Sequence, residues 1–282
     1  MDPRIPRHCD PASDLDTSLR GNASRLSRRL DRLARSNKSI EFTATTAEVA
    51  ALFNLLADPQ VEQPTTASAA RTATEVHATF FLVAAAEPGT IVRAQVDETV
   101  FEIEGTGKTT YLHLASWFEL YWWKAMSRSE VAAAAAGRFE LTELTADGRW
   151  GEHRLHLFRA FRSRDVGDPQ WTSHLADAAR ALEQPISVFP EEADLLDRGV
   201  IEILAAVAEG DQGRLTDSID AALVAHRTYW TKSAERREDC RGFSSLPIAA
   251  AAAIAVDEGM TVEVESDYLA MGLVRPGWFS ST

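Results

Sequence analysis

The segment YLHLASWFELYWWKAM, residues 111–126, is apolar nearly all the way round a helical wheel. A helix without a polar face cannot lie on a surface, so this one predicts an interior that other elements enclose. Its large aromatics, Trp117, Phe118, Tyr121, Trp122 and Trp123, read as core rather than as a ligand cage, because such side chains carry the largest burial energies.

Helical signals recur on both sides of it. Residues 22–39 form a basic amphipathic helix, with Leu26, Leu30 and Leu33 on one face and Arg25, Arg28, Arg29, Arg32 and Arg35 on the rest. Thr45 and Glu48 have capping-box spacing at the head of 45–59, and a small-residue helix over 65–89 carries His77 and stops at Pro88-Gly89. SRSE at 127–130 reads as a second capping box ahead of an alanine-rich helix ending at Gly137. Further helices are expected over 147–165, over 168–185 behind Asp168-Pro169, over 190–211, and over 212–239 with Leu215, Ile219, Leu223, His226 and Trp230 in one stripe. The last, 244–260, has Pro247 in its first turn and Gly259 at C′.

The clear β signal is TIVRAQV and TVFEIE, separated by Asp97-Glu98, with a short alternating strand and turn expected over 261–269. Short loops make consecutive helices antiparallel neighbours. The expected fold is therefore mainly all-α: stacked antiparallel helical hairpins, repeat-like, with one small β-hairpin near residues 90–104. Residues 1–21, rich in Pro, Asp and Ser, are expected to be irregular, and 22–282 to form a single domain.

GTGKTT, residues 105–110, resembles the second half of a phosphate-binding loop. Such a loop needs a glycine five residues before Gly107, and Glu102 stands there. The preceding strand alternates Val100, Glu102 and Glu104 with Phe101 and Ile103, as a strand with one wet face does, whereas strands feeding phosphate loops are apolar on both faces. A strand-exit turn is the expectation.

Formal net charge is -13. Residues 1–40 hold nine Lys/Arg against five Asp/Glu, and the remainder holds 20 against 37. A body this acidic disfavours nucleic acid and anionic lipid and suits a basic partner. With only two cysteines, Cys9 and Cys240, a disulfide framework is not expected. MDPRIPRHCDPASD lacks a signal peptide's apolar core, and LPIAAAAAIAV (246–256) is too short to span a bilayer, so the expected compartment is the cytosol.

No catalytic, cofactor or metal site is expected. His153 and His156 have i, i+3 spacing but lack the zinc-protease pattern and read as surface or half-buried residues. Glu191 and Glu192 resemble a carboxylate pair, yet acids in a helix's first turn are what the dipole favours. GFSSLP (242–247) reads as a loop and cap rather than a nucleophile elbow.

ASWFELYWWKAMSRSEVAAAAAG (115–137), IDAALVAHRTYW (219–230) and LPIAAAAAIAVDEGMTVEVESDYLAMGLV (246–274) resemble the Imm49 family of bacterial immunity proteins, as do PRHCDP (6–11), the place of the β element and the chain length. Asp257-x-Gly259 followed by VEVESDYL is the most specific part; Ala270 stands where a proline usually follows Tyr268-Leu269. The resemblance implies an all-α, non-enzymatic antidote encoded beside a toxin. Asp257, Gly259, Asp267 and Tyr268 have a structural reading as a helix stop and a hydrogen-bonded turn. The expected partner is a toxin protein, of basic character by charge complementarity, contacted through two acidic groups: Glu191, Glu192 and Asp194, and Glu263, Glu265 and Asp267. A helical scaffold for another bacterial protein and a nucleotide-dependent enzyme using Lys108 are the alternatives. Sequence does not define the oligomeric state.

Overall fold

The computed structural model describes residues 4–8, 14–33, 35–36, 39–146, 148 and 150–279. In chain order the elements are β1 (Arg4–Ile5), α1 (Leu15–Leu33), α2 (Ile40–Ala57), α3 (Pro64–Ala85), β2 (Ile91–Val96), β3 (Thr99–Glu104), α4 (Leu114–Ser127), α5 (Glu130–Ala136), α6 (Leu141–Leu144), α7 (Glu152–Asp165), α8 (Trp171–Leu182), α9 (Pro190–Glu192), α10 (Arg198–Glu209), α11 (Gln212–Thr231), α12 (Ala234–Glu238), α13 (Leu246–Asp257), β4 (Glu265–Ser266) and α14 (Met271–Val274). A π-helical turn, Ala193–Asp197, joins α9 to α10. The fold is mainly α with a small hairpin, as the sequence implies.

Contacts group into two compact units, each threaded by two chain segments: Met1–Cys9 with Leu141–Ala270, and Asp10–Glu140 with Met271–Thr282. In the second, α1 packs on α2, α2 on α3, and α3 on α4 and α5. Trp117, Tyr121 and Trp123 of α4 are fully buried, and Trp117 donates its ring N–H to the Ala136 carbonyl at 3.0 Å. The all-round apolar surface of α4 thus becomes the core. In β2–β3, Val96 faces Thr99 across the Asp97-Glu98 turn; Ala94, Val96, Phe101 and Ile103 point inward while Arg93 and Glu102 pair on the wet side.

In the first unit α7 pairs with α8 and α10 with α11, with α8 and α13 both against α10. Alanines 249–253 of α13 are buried on every side, which small side chains allow because the neighbouring backbones come close. The same economy of space appears at Gly199 of α10, where an added Cβ would lie 2.6 Å from the Ala222 methyl of α11. Gly259 ends α13 at φ +81, and Met260 N–H returns to Ala255 O at 3.0 Å, the Schellman closure expected of a C′ glycine.

Several local expectations move. The N-terminal helix begins at Leu15 rather than Asn22, because Leu15 and Leu19 extend the apolar stripe; residues 4–5 are a strand rather than irregular. Cys9, Asn37 and Lys38 lie outside the described residues. Helix α2 starts at Ile40, so Glu48 is not a capping residue; its Oε2 accepts the Trp123 ring N–H at 3.1 Å and lies 3.4 Å from His77 Nε2. The cap of α5 is Ser129, whose hydroxyl accepts Ala132 N–H, rather than Ser127. Residues 261–264 form no strand; pairing falls at Glu265–Ser266, parallel to Arg4–Ile5.

One helix among the described residues, Ile40–Ala57, is long and apolar enough by length and composition to cross a membrane, and 56% of it is buried inside the structure.

Candidate partner-binding surface

Between α8 and α10 the chain turns at Phe189. Its φ is +49 and ψ is 54, a left-handed conformation that an aromatic residue ahead of a proline rarely takes. Such a backbone costs about 1–3 kcal/mol and persists where its surroundings hold it. The ring is 60% exposed. Pro190 then opens a helical turn that carries Glu191 and Glu192, and the π-helical turn widens the coil before α10. π-turns of this kind concentrate at functional sites.

The acids beside Phe189 all have cationic partners. Glu191 accepts from Arg236 at 2.9 Å and from Lys232, and these hydrogen bonds hold its carboxyl well below the usual carboxylate range. Glu192 accepts from Arg154 at 3.3 Å and from the Tyr229 hydroxyl at 3.2 Å. Asp194 accepts from Arg198 at 3.1 Å. Beneath them Asp197 takes Arg154 Nε at 2.7 Å and faces His153 Nε2 at 2.9 Å. Burial opposes its charge, but Arg154 and the hydrogen bond to His153 hold its pKa below the ordinary value. Arg236 also lies over the Tyr229 ring, 3.9 Å from its centroid. The first acidic group is therefore an ion-paired lattice around an exposed aromatic, not a bare negative patch.

The second group is different. Glu263 and Glu265 are exposed while Val264 is buried, the alternation read from the sequence. Asp267 is half-buried, and its carbonyl accepts from Arg7 at 2.6 Å. Tyr268 is fully buried; its hydroxyl accepts His8 N–H at 2.8 Å and its carbonyl accepts Ser245 N–H at 2.9 Å. The His8 ring stacks on the Tyr268 ring, and His226 meets it edge-on. The two acidic groups share one unit and are linked through α12: Arg236 reaches Glu191, and the next carbonyl, of Arg237, lies 3.3 Å from His8 Nε2.

The remaining candidates resolve by geometry. In the GTGKTT loop, Gly105 N–H goes to Thr90 O, Thr106 N–H to Val83 O and Gly107 N–H to Ala86 O. Three backbone donors of the loop are thus occupied, and α4 begins only at Leu114, so no helix N-terminus follows the loop directly. Ser245 precedes α13, with Pro247 in its first turn as expected. His153 and His156 do not converge: His153, 3% exposed and so deeper than expected, faces Asp197, whereas His156 lies 3.9 Å from Asp177 of α8.

Phe189 and the Arg154–His153–Asp197 network were not visible in the sequence. Nothing in FPEEADLLD announces a left-handed aromatic, and the network joins residues more than forty positions apart.

The chain matches the family model of immunity protein 49 over residues 58–273, most of its length and both compact units. It belongs to the immunity protein 49 family. No curated protein and no solved structure matches it. Within this Imm49 chain, the residues that carried the resemblance, Asp257, Gly259 and Tyr268, stand at the stop of α13 and in the turn that follows it.

Proposed function

We propose that this Imm49 chain neutralises a toxin by stoichiometric binding. Family membership over residues 58–273 is the observation that carries the reading. The occupied donors of the GTGKTT loop favour it over nucleotide chemistry. Binding would centre on the unit that holds both acidic groups. Phe189 is an exposed aromatic on a left-handed backbone, and exposed aromatics are the type of residue that anchors protein interfaces. Glu191, Glu192 and Asp194 would form its charged surround. Glu263 and Glu265, exposed beside Asp267, would supply negative charge that steers a basic toxin.

The experiment is co-purification of the chain with the product of an adjacent toxin gene, followed by association kinetics at two salt concentrations. Charge reversal at Glu263/Glu265 is expected to slow association several-fold at low salt, with the loss shrinking as salt rises. Reversal at Glu191/Glu192 should act less through rate, because their charge is already paired. Phe189→Ala is expected to speed dissociation about tenfold or more. Unchanged rates for all three variants would put the interface elsewhere, and failure to co-purify or protect would remove the toxin-binding reading itself.

A further inference from the structure

Helices α7 and α8 bring together three side chains with no assigned role. His156 comes from α7, and His174 and Asp177 come from α8 at i, i+3 spacing, so both face the same side of their helix. A ring nitrogen of each histidine and a carboxylate oxygen of Asp177 all lie within 4.8 Å of one another. From this convergence we infer that His156, His174 and Asp177 form a binding site for a zinc-class divalent cation.

The donor set selects the ion class. Two imidazoles and one carboxylate suit zinc and its neighbours in the transition series, whereas magnesium and calcium want oxygen alone. Ligands about 2.0–2.2 Å from zinc stand a little over 3 Å apart, so closure of roughly an ångström by side-chain rotation completes the set. His174 Nδ1 is buried without a hydrogen-bond partner among the described residues, a polar atom that a metal would satisfy.

The surroundings set the limits on affinity. Arg180 holds Asp177 Oδ1 at 2.6 Å and leaves Oδ2 toward His156. Arg159 Nη1 stands 3.4 Å from His156 Nδ1 and must turn outward when a cation enters. Glu152, one turn before His156, offsets part of that positive charge. His156 and Asp177 also line a cavity of about 600 Å³ with Trp150, Gln184 and Val188. Three protein ligands would leave a four-coordinate ion one position for a water.

The test uses the full chain without a histidine tag, stripped with a chelator. Zinc is titrated in competition with a chromophoric chelator, and cobalt(II) is added separately to read coordination number from its visible absorption. One zinc per chain is expected, with a Kd on the order of micromolar or tighter, a cobalt spectrum of four-coordinate intensity, and no displacement by millimolar magnesium or calcium. His156→Gln, His174→Ala and Asp177→Asn should each weaken zinc about tenfold or more, while far-ultraviolet circular dichroism stays unchanged. Zinc should raise the Tm of the wild type and not that of His174→Ala. No zinc binding at 100-fold above that Kd would overturn the site, and so would any one of the three variants binding zinc as tightly as the wild type.

Discussion

His226 is buried and Glu75 half-buried, one in each compact unit, and burial acts on them in opposite directions. His226 sits among Tyr268, Trp230 and the Gly242 carbonyl, 4% exposed, and burial pulls its pKa down to about 3. Glu75 lies on α3 beneath the hairpin turn, accepting Asp97 N–H at 2.6 Å, and burial with the Asp97 charge pushes it up to about 7. An unfolded histidine takes up a proton near pH 6.5 that folded His226 refuses, so its unit loses stability as pH falls from there toward 3. Folded Glu75 keeps a proton that the unfolded chain releases near 4.5, so its contribution falls as pH rises from 4.5 to 7. Between pH 4.5 and 6.5 these two groups contribute opposed slopes. A flat profile would therefore conceal two active groups rather than show their absence.

The comparison can be broken first at the packing that underlies it. Trp117→Ala should cost about 3–5 kcal/mol in urea unfolding at any pH between 5 and 8, because the loss is of buried volume and not of charge. A loss that varied strongly across that range would mean that α4 is coupled to a titrating group. Next, His226→Gln should flatten the acid limb. The wild type is expected to lose up to about 1.4 kcal/mol per pH unit below 6.5 from this group, and the variant should lack that component. Glu75→Gln should do the converse, removing the decline between 4.5 and 7, with a smaller amplitude because Glu75 is only partly buried; if both variants leave the profile unchanged, the opposed-slope account fails. Smallest of all, Lys108→Ala should shift stability by no more than about 0.5 kcal/mol, and a larger shift would show that the exposed turn bears structure.

Local physics made most of the helices legible. The full wheel of 111–126, the proline-to-glycine bounds of α13 and the alternation of Phe101 and Ile103 all follow from near neighbours in sequence, and all appear in the structure. What failed to show depended on distant partners. Thr45 and Glu48 have the spacing of a capping box, but Glu48 serves a tryptophan 75 positions away. Arg4–Ile5 looks like an irregular tail until Glu265–Ser266 is beside it. Sequence spacing sets His156 beside His153, whereas the fold sets it against His174 and Asp177 across a helix pair. The candidate surface was half legible: exposure of Glu263 and Glu265 followed from alternation, but the cations answering Glu191, Glu192 and Asp194 come from α7, α10, α12 and the end of α11.

The pairing of β1 with β4 has a temporal side. Residues 4–8 leave the ribosome well before their partners at 265–268, which lie 260 positions further along the chain. At about 5–20 residues per second, the opening segment waits on the order of tens of seconds before its strand can form. The second unit is also left open until α14 arrives, where Arg128 donates to the Val274 carbonyl at 2.8 Å and Trp278 to that of Met126 at 3.0 Å. A nascent chain stopped short of residue 265 therefore finishes neither unit. Any activity that depends on both units would begin only after the residues from 265 to 278 have been made.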